Sequence, residues 1–472
     1  MKKLFAITIL FSLLCGCASQ QQQGQATLLT PFYIGDSNTS ASILASSTDE
    51  HLPFLFDASM VRFSNGEFKQ TYELLNKSEA AIKGDETETT LYSAGKVVGE
   101  VLFNREFMNY EPKTSDTVLV NMYKGFSLLG THETDKARVE FNRTLERQRR
   151  AVEEFKEEIE EAKEDAKKQA KKHAENKKLA TQDSPKLDLM RIQQVAEQSA
   201  YNSMPDVNQW TGYGDFVNPY ATYLSGLFFC VKGEVKSDYS KCSSMLKRVS
   251  GMVPANDYVK QDVKMADAYA RGTKSITKKT TVWVLFENGL APDTEELRLD
   301  VPLFLMNQRA GVSMVSFAMP KLAMRDAAMS HLSVASGKKT YRTKELCNFD
   351  RVVQAEYKVH LPFTITKAVA SSATKAFMQY LAQESGGQLA GLVSGIATSA
   401  MTRADTRTWL SLPKNIQLAR LPMPKGKKLL LKSPSGAVLS KVTLPEAQQS
   451  LVYVRIPKQE STPYVQTIVL TD

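Results

Sequence analysis

Ser372-Ala373-Thr374-Lys375 sets a hydroxyl and an amine one helical turn apart, the S-x-x-K spacing by which serine-acylating enzymes put nucleophile and base on one helix face. The S-D-N and K-T-G segments that complete such a site are missing from the chain, so the match reads as ordinary helix surface. His51, His132, His173, His331 and His360 are scattered, and none has a second histidine or a cysteine at helical ligand spacing, so no metal site is read. The chain has no G-x-S-x-G elbow, no G-x-x-x-x-G-K-[ST] phosphate loop and no G-x-G-x-x-G after a strand. We therefore expect no catalytic residue, no metal and no dissociable cofactor.

The residues with most to offer a partner are cations. Arg403, Arg407, Lys414, Arg420, Lys425, Lys427, Lys428 and Lys432 gather around one acid, Asp405. Such a patch suits peptidoglycan or another anionic glycan, lipid head groups or an acidic protein. The competing explanation is that strand edges carry lysine to resist edge-to-edge pairing. Trp409 reads as core, and Arg407 beside it as an ion pair with Asp405 rather than a ligand contact.

A second reactive position stands near the start. Lys2 and Lys3 precede an apolar run from Leu4 to Leu14, the charged and hydrophobic parts of a secretory signal, and the run is too short to span a bilayer. Leu14-Cys15-Gly16-Cys17 then resembles a bacterial lipobox, in which the thiol of Cys17 receives diacylglycerol and the new amino group an acyl chain. Ordinary cleavage after Ala18 is the rival, because Gly16 and Ala18 also fit a small-x-small site. Several acyl chains would make release from a membrane negligible. Ala18 in place of aspartate resembles the outer-membrane side of the Gram-negative sorting rule. The Gln-rich stretch that follows reads as a flexible tether. Removing Lys2 and Lys3 lowers the formal net charge from +9 to +7, a modest excess that does not point to nucleic acid.

At 472 residues the chain is too long for one simple core and implies two domains or a long helical array. From Pro53 to about Ala270 apolar residues recur three and four apart, as in helices. Gly125, Leu128, Ala137 and Phe141 have the small, large, small and aromatic spacing of a tetratricopeptide (TPR) repeat. A third pair is expected around Gly226 and Gly233. An irregular helical bundle is the alternative. Phe141 to Lys178 is a charged stretch without Gly or Pro and with a heptad of Leu145, Val152, Ile159 and Ala166. It predicts a coiled-coil-like arm, or else one long solvated helix, with a shorter helix after Leu187 returning along its base. Beyond Thr280 the pattern turns to strands. Asp350 to Tyr380 returns to helix, interrupted at Leu361-Pro362. Gly387, Gly391, Gly395 and Ser399 form a small-residue stripe read as close packing within the domain. Five strands after Arg407 read as a small antiparallel sandwich.

With these elements in place, Asp405-Thr406-Arg407-Thr408-Trp409, Leu412-Pro413, Ile416, Arg420 and Pro424-Lys425-Gly426 resemble the close of an uncharacterised family of Gram-negative tetratricopeptide-like outer-membrane lipoproteins. Tyr123, Ala137 to Glu140 with Arg143, and Phe317 to Leu322 resemble further blocks of that family. Between Leu361-Pro362 and Lys375 the chain has less arginine than the family often shows. The resemblance implies an envelope protein without established activity, some members resembling accessory lipoproteins encoded near activators of peptidoglycan synthases.

The expected organisation is multi-domain: a lipoprotein signal at 1–16, a lipidated tether at 17–50, and an all-α TPR-like domain at 51–275 with its arm at about 141–200. An α+β domain follows at 276–472, its sandwich at about 407–472. The expected function is a periplasmic, membrane-anchored, non-enzymatic scaffold in envelope assembly or peptidoglycan-synthesis regulation, binding a protein segment in a concave helical groove. The alternative is a glycan- or lipid-binding module using the basic C-terminal domain. With Cys17 given to lipid, Cys230, Cys242 and Cys347 remain. The strict repeat register puts Cys242 about 10 Å from Cys230, too far to bond, whereas a helix capped by Ser237 would bring them level. The repeat register, and no bond, is the expectation.

Overall fold

The structure is a computed structural model that describes residues 23–82, 110–151, 153, 186–214, 217–272, 280–302, 304–306, 314–384 and 403–471. Cys17 and the rest of the lipobox, most of the arm and the stripe at 387–399 lie outside these residues.

The first departure from expectation comes at once. Residues 23–34 form helix α1 and Ser37–Ser46 form α2, capped by Asp36, whose carboxylate accepts from Thr39 N at 3.0 Å. Leu28, Leu29 and Phe32 of α1 are buried against Phe54, Ala58, Val61 and Tyr464. The segment expected as a tether is therefore part of the body from residue 23. Its many glutamines masked three apolar residues that fall on one helical stripe. Gly35, at φ +81°, turns the chain where a Cβ would strike the backbone of Thr462.

Helices α3 (Leu52–Ser64) and α4 (68–82) are joined by Asn65-Gly66, and α5 (Thr114–Gly130) pairs with α6 (134–151). A Cβ on Gly125 would lie 3.1 Å from the Phe141 ring, so glycine lets α5 and α6 close to contact. Strand β1 (Lys186–Leu187), α7 (Leu189–Ser203) and a 3₁₀ turn at Pro205–Gln209 follow. Then come α8 (Pro219–Val231), α9 (Lys236–Met252) and α10 (Asp257–Ala270).

The α8 and α9 pair corrects the repeat register. Gly125 faces Phe141, sixteen residues later, but Gly226 faces Leu246, twenty residues later. The connection 232–235, extended at Val235, carries the chain past the end of α8 before α9 begins, so residues placed symmetrically about Lys236 come level. Cys230 and Cys242 are such a pair. They are disulfide-bonded with Cα atoms 5.4 Å apart, against the expectation of no bond.

Thirteen strands are described in all, and those after residue 280 begin with β2 (Thr281–Asn288), β3 (Asp293–Pro302), β4 (Leu305–Met306), β5 (Met314–Ala323), β6 (Ser333–Ser336), β7 (Lys339–Arg342) and β8 (Lys344–Asn348). Helix α11 (Phe349–Glu384) runs unbroken through Pro362, where an interruption was expected. Last come β9 (Asn415–Pro422), β10 (Lys428–Lys432), β11 (Val438–Thr443), β12 (Gln449–Ile456) and β13 (Tyr464–Thr471). The five-stranded sheet has the order β13-β12-β2-β9-β8, and the four-stranded sheet β11-β10-β6-β7. Strand β2 lies parallel to β12 and antiparallel to β9. The strands of 407–472 thus do not form a sandwich of their own, because β2, β6, β7 and β8 from the preceding segment complete both sheets.

Strand β2 is buried on both faces, which is why its sequence is a continuous apolar run. Val282, Val284 and Phe286 meet Leu429, Leu431, Val334 and Val442 of the second sheet. Trp283 and Leu285, with Tyr453, Leu418 and Ile468, meet Phe63, Tyr123, Phe126, Tyr220 and Leu224 of the helices. Helices, central sheet and outer sheet make three layers with shared cores. The change from helix to strand does fall near 276, but the parts on either side are not separately packed. A smaller cluster unites α7, the β3–β5 hairpin and α11 through Ile192, Ala196, Val315, Phe317, Leu361 and Ile365, so α7 returns to these elements.

A protease site inserted between Gly272 and Thr280 should therefore give fragments that co-elute on native size exclusion after complete cleavage. Separation of a folded helical fragment without denaturant would show that the helices do not depend on the sheet.

Candidate functional site

The alternation of a strand decides where each expected cation goes. On β9, Arg420 pairs in register with Trp283 and so faces the helices. There its Nε lies 2.7 Å from Oδ1 of Asp262, a fully buried carboxylate of α10, and its guanidinium lies over the Trp283 ring. Asp262 also accepts from Tyr223 Oη at 2.7 Å and Trp283 Nε1 at 3.1 Å. Burial raises the Asp262 pKa, and Arg420 and these donors oppose that rise. Arg407 is bidentate to Asp405 through Nε and Nη2 at 2.9 and 2.7 Å, the ion pair expected of it. Lys414 is bound to Asp350 and donates to the carbonyl of Arg325 at 2.7 Å. These three cations join parts of the body to one another. Arg403 is exposed at the start of the segment.

Four of the expected cations remain on the other side of the molecule. Lys425 and Lys427 belong to the β9–β10 connection, and Lys428 and Lys432 stand on the outward face of β10, while Leu429 and Leu431 point into the core. Register adds cations that sequence proximity did not reveal. Lys441 of β11 lies opposite Leu430, and Arg342 of β7 lies opposite Ser333, itself opposite Lys432. The outward face therefore carries Lys428, Lys432, Lys441 and Arg342 around Leu430 and the exposed Val438. The stretches 332–344 and 425–444 that build this sheet contain nine Lys and Arg and no Asp or Glu. At its rim, Lys427 approaches Glu446 at 3.4 Å and Lys344 pairs with Asp257.

Inside, a set of carboxylates that the sequence reading passed over ties the layers together. Glu287 of β2 is fully buried and accepts from Tyr123 Oη at 2.8 Å, Tyr220 Oη at 2.9 Å and Tyr453 Oη at 2.8 Å. Arg455 Nε is 3.9 Å away, and the same guanidinium donates to Gly289 O at 2.6 Å and Ser411 O at 3.0 Å. Burial pushes the Glu287 pKa up, with Arg455 and the three hydroxyls opposing, and pushes the three phenols well above the usual tyrosine value. Asp57 of α3 accepts from Gln25 Nε2 at 2.7 Å and from Ser411 N and Oγ at 2.8 and 2.7 Å. Burial raises its pKa to about 7. Lys124 of α5 is buried between Glu79 and Glu140, at 2.5 and 3.0 Å. Glu356 of α11 accepts from the first amides of α5, Thr114 N at 2.7 Å and Ser115 N at 3.3 Å. Asp57, Lys124 and Glu287 each interrupt an apolar stretch, a signal available in the sequence.

These groups do not converge on an open cleft. A cavity of about 20 Å³ as seen by a water centre, lined by Thr114, Ser115, Val118, Ala151, Asn218, Val352 and Glu356, holds about one water. Ser372 is buried on α11, and the side chain of Lys375 lies outside the described residues. His51 caps α3, its Nδ1 accepting from Phe54 N at 3.2 Å. Among the described residues no group of three or more His, Cys, Asp or Glu is arranged to hold a metal ion, and no helix is long and apolar enough to cross a membrane. No protein-family model matches the chain, and no curated protein and no solved structure matches it.

Arg420→Ala leaves buried Asp262 without its cation and should destabilise the protein by about 3–5 kcal/mol. Lys428→Ala should stay within about 0.5 kcal/mol of the parent in the same denaturant titrations. If the two variants unfold alike, the division between joint and surface is wrong.

Asp57 gives a pH test. Its folded pKa of about 7 stands above its ordinary value of 3.8, so between these values the folded state holds a proton that the unfolded state releases. Its contribution to stability therefore falls as pH rises across that window. Asp57→Asn should remove this fall, gaining stability relative to the parent from pH 4 to 8; a constant difference across the window counts against the assignment.

Proposed function

We propose that the protein is a non-enzymatic scaffold lipoprotein, exported and held at a membrane by lipid on Cys17, on the periplasmic side of the outer membrane. The observation that carries the exported reading is the Cys230–Cys242 bond, since such bonds persist in oxidising compartments and are rare in the cytosol. The scaffold reading is supported by the use made of polar groups. Glu287, Asp262, Asp57, Glu356 and Lys124 all join one layer or helix to another. A partner segment of an envelope-assembly or peptidoglycan-synthesis protein is the ligand class in this reading.

The finer fold assignment belongs to the same proposal. We read α3/α4, α5/α6 and α8/α9 as a degenerate TPR-like array, supported by the Gly125–Phe141 contact, and the stacked sheets as a sandwich built from two segments. Such an array would ordinarily offer a partner the face that α3, α5 and α8 present. Here Phe63, Tyr123 and Tyr220 of that face are buried against the protein's own sheet, so the groove expected from the sequence is filled. Partners would then meet the outside of the body. The acid-free basic face favours the second reading, a module that binds anionic envelope glycan or lipid.

Cys17→Ala should move the protein from the membrane pellet to the soluble fraction after carbonate washing, with the body still folded. Full retention of the variant in washed membranes would end the lipid-anchor reading.

A further inference from the structure

The outer face of the four-stranded sheet differs from the rest of the surface in charge and in shape. Lys428, Lys432 and Lys441 project from the adjacent strands β10 and β11 and Arg342 from β7, while β6, which lies between β10 and β7, contributes only the small, buried Ser333 and Ala335 to this side. Elsewhere on the described surface cations are interspersed with acids, as in the Glu133–Lys136 and Glu146–Arg149 pairs. Among the described residues none of the four is ion-paired, and Asp257 and Glu446 pair with Lys344 and Lys427 at the rim. The bulge between Leu431 and Lys432 brings Val438 opposite Lys432, and Val438 is 52% exposed. The aromatic residue of β7, Tyr341, packs inward instead.

We propose that this face docks on an anionic phospholipid bilayer. Cations that neutralise phosphate, set around aliphatic Leu430 and Val438 that can reach the acyl boundary, match the charge and polarity profile of a membrane interface. A glycan site is ordinarily built on aromatic planes, and Tyr341 of β7 is turned to the inner side. Nearness to a bilayer rests on the lipid-anchor reading. Cys17 is six residues before α1, a span of at most roughly 20 Å, so a lipid there would keep the body beside the surface without itself deciding which face meets it. Each cation near such a surface adds attraction that screening by salt removes. Together, the lipid would confine the body and the sheet face would orient it.

The test uses the chain from Ala18 to Asp472, which keeps every described residue and carries no lipid, in co-sedimentation with vesicles of phosphatidylcholine alone or with phosphatidylglycerol added. Binding should need phosphatidylglycerol and weaken as salt rises. It should fall by at least about tenfold in the variant Lys428→Glu, Lys432→Glu, Lys441→Glu and Arg342→Glu. A control reversing Lys69, Lys236, Lys264 and Arg271 makes the same change in net charge on the helical layer and should bind nearly as the parent does. Circular dichroism and thermal melting establish that both variants are folded. No binding to phosphatidylglycerol vesicles at low salt overturns the proposal, as does equal loss in the two variants. Capture by soluble acidic glycan without vesicle binding overturns it too and assigns the face to glycan. Because the protein tested has no lipid, a negative result leaves the Cys17 anchor standing, and a failed anchor leaves this result standing.

Discussion

The rest of the structure depends on the burial of one carboxylate. Glu287 sits between the helices and the central sheet, with hydroxyls from two helices and one strand directed at it and a buried arginine beside it. Taking a carboxylate out of water costs several kcal/mol unless hydrogen bonds and an opposite charge replace the solvent. Tyr123, Tyr220 and Tyr453 supply that replacement only if α5, α8 and β12 stand in one arrangement around β2. A slip of a strand by one residue would turn Glu287 into the apolar layer between the sheets, where Val284 and Phe286 now lie. The interaction therefore need not add much net stability to matter. It makes alternatives costly, which selects both the register of β2 and the docking of the helices.

The other buried charges repeat the principle with different partners. Asp262 fixes α10 and α8 to β2 and β9, Asp57 fixes α1 and α3 to the segment around Ser411, and Glu356 fixes α11 to the start of α5. In each case the joined residues are far apart in sequence. Apolar packing alone would let helices slide over the sheet at modest cost, because burial is proportional to area and has no direction. Directed hydrogen bonds to a desolvated carboxylate penalise such sliding.

What the sequence disclosed follows from how local each signal is. The change from helix to strand near residue 276, the glycine of α5 under Phe141 and the Arg407–Asp405 pair depend on residues close together in the chain, and all were legible. The parallel pairing of β2 with β12 was not, since nothing in either strand names its partner across more than 160 residues. The division of the basic patch was hidden for the same reason. Proximity in sequence grouped Arg407, Lys414 and Arg420 with Lys428, although strand alternation and layer position send them to opposite sides of the central sheet. The cation–acid joints could have been found by asking why Asp57, Lys124 and Glu287 interrupt apolar runs. The level of Cys230 and Cys242 depended on how far residues 232–235 extend, a quantity that helical periodicity does not contain.

The filled helical face bears on where function can lie. The face formed by Phe63, Tyr123 and Tyr220 is spent on the central sheet. Once the sheet is seated, its own second face must be covered as well, because Val282, Val284 and Phe286 alternate with Trp283 and Leu285. The four-stranded sheet supplies that cover. Its inward residues are fixed by packing, which leaves its outward positions free to vary without disturbing the core. Free positions in a chain holding 51 acids would be expected to mix signs, as they do along α6. The outward positions of β7, β10 and β11 carry one sign only; β7 and β11 are the edges of their sheet, where cations also resist edge-to-edge pairing, and the stacked layers put all of them on the side of the central sheet away from the helices.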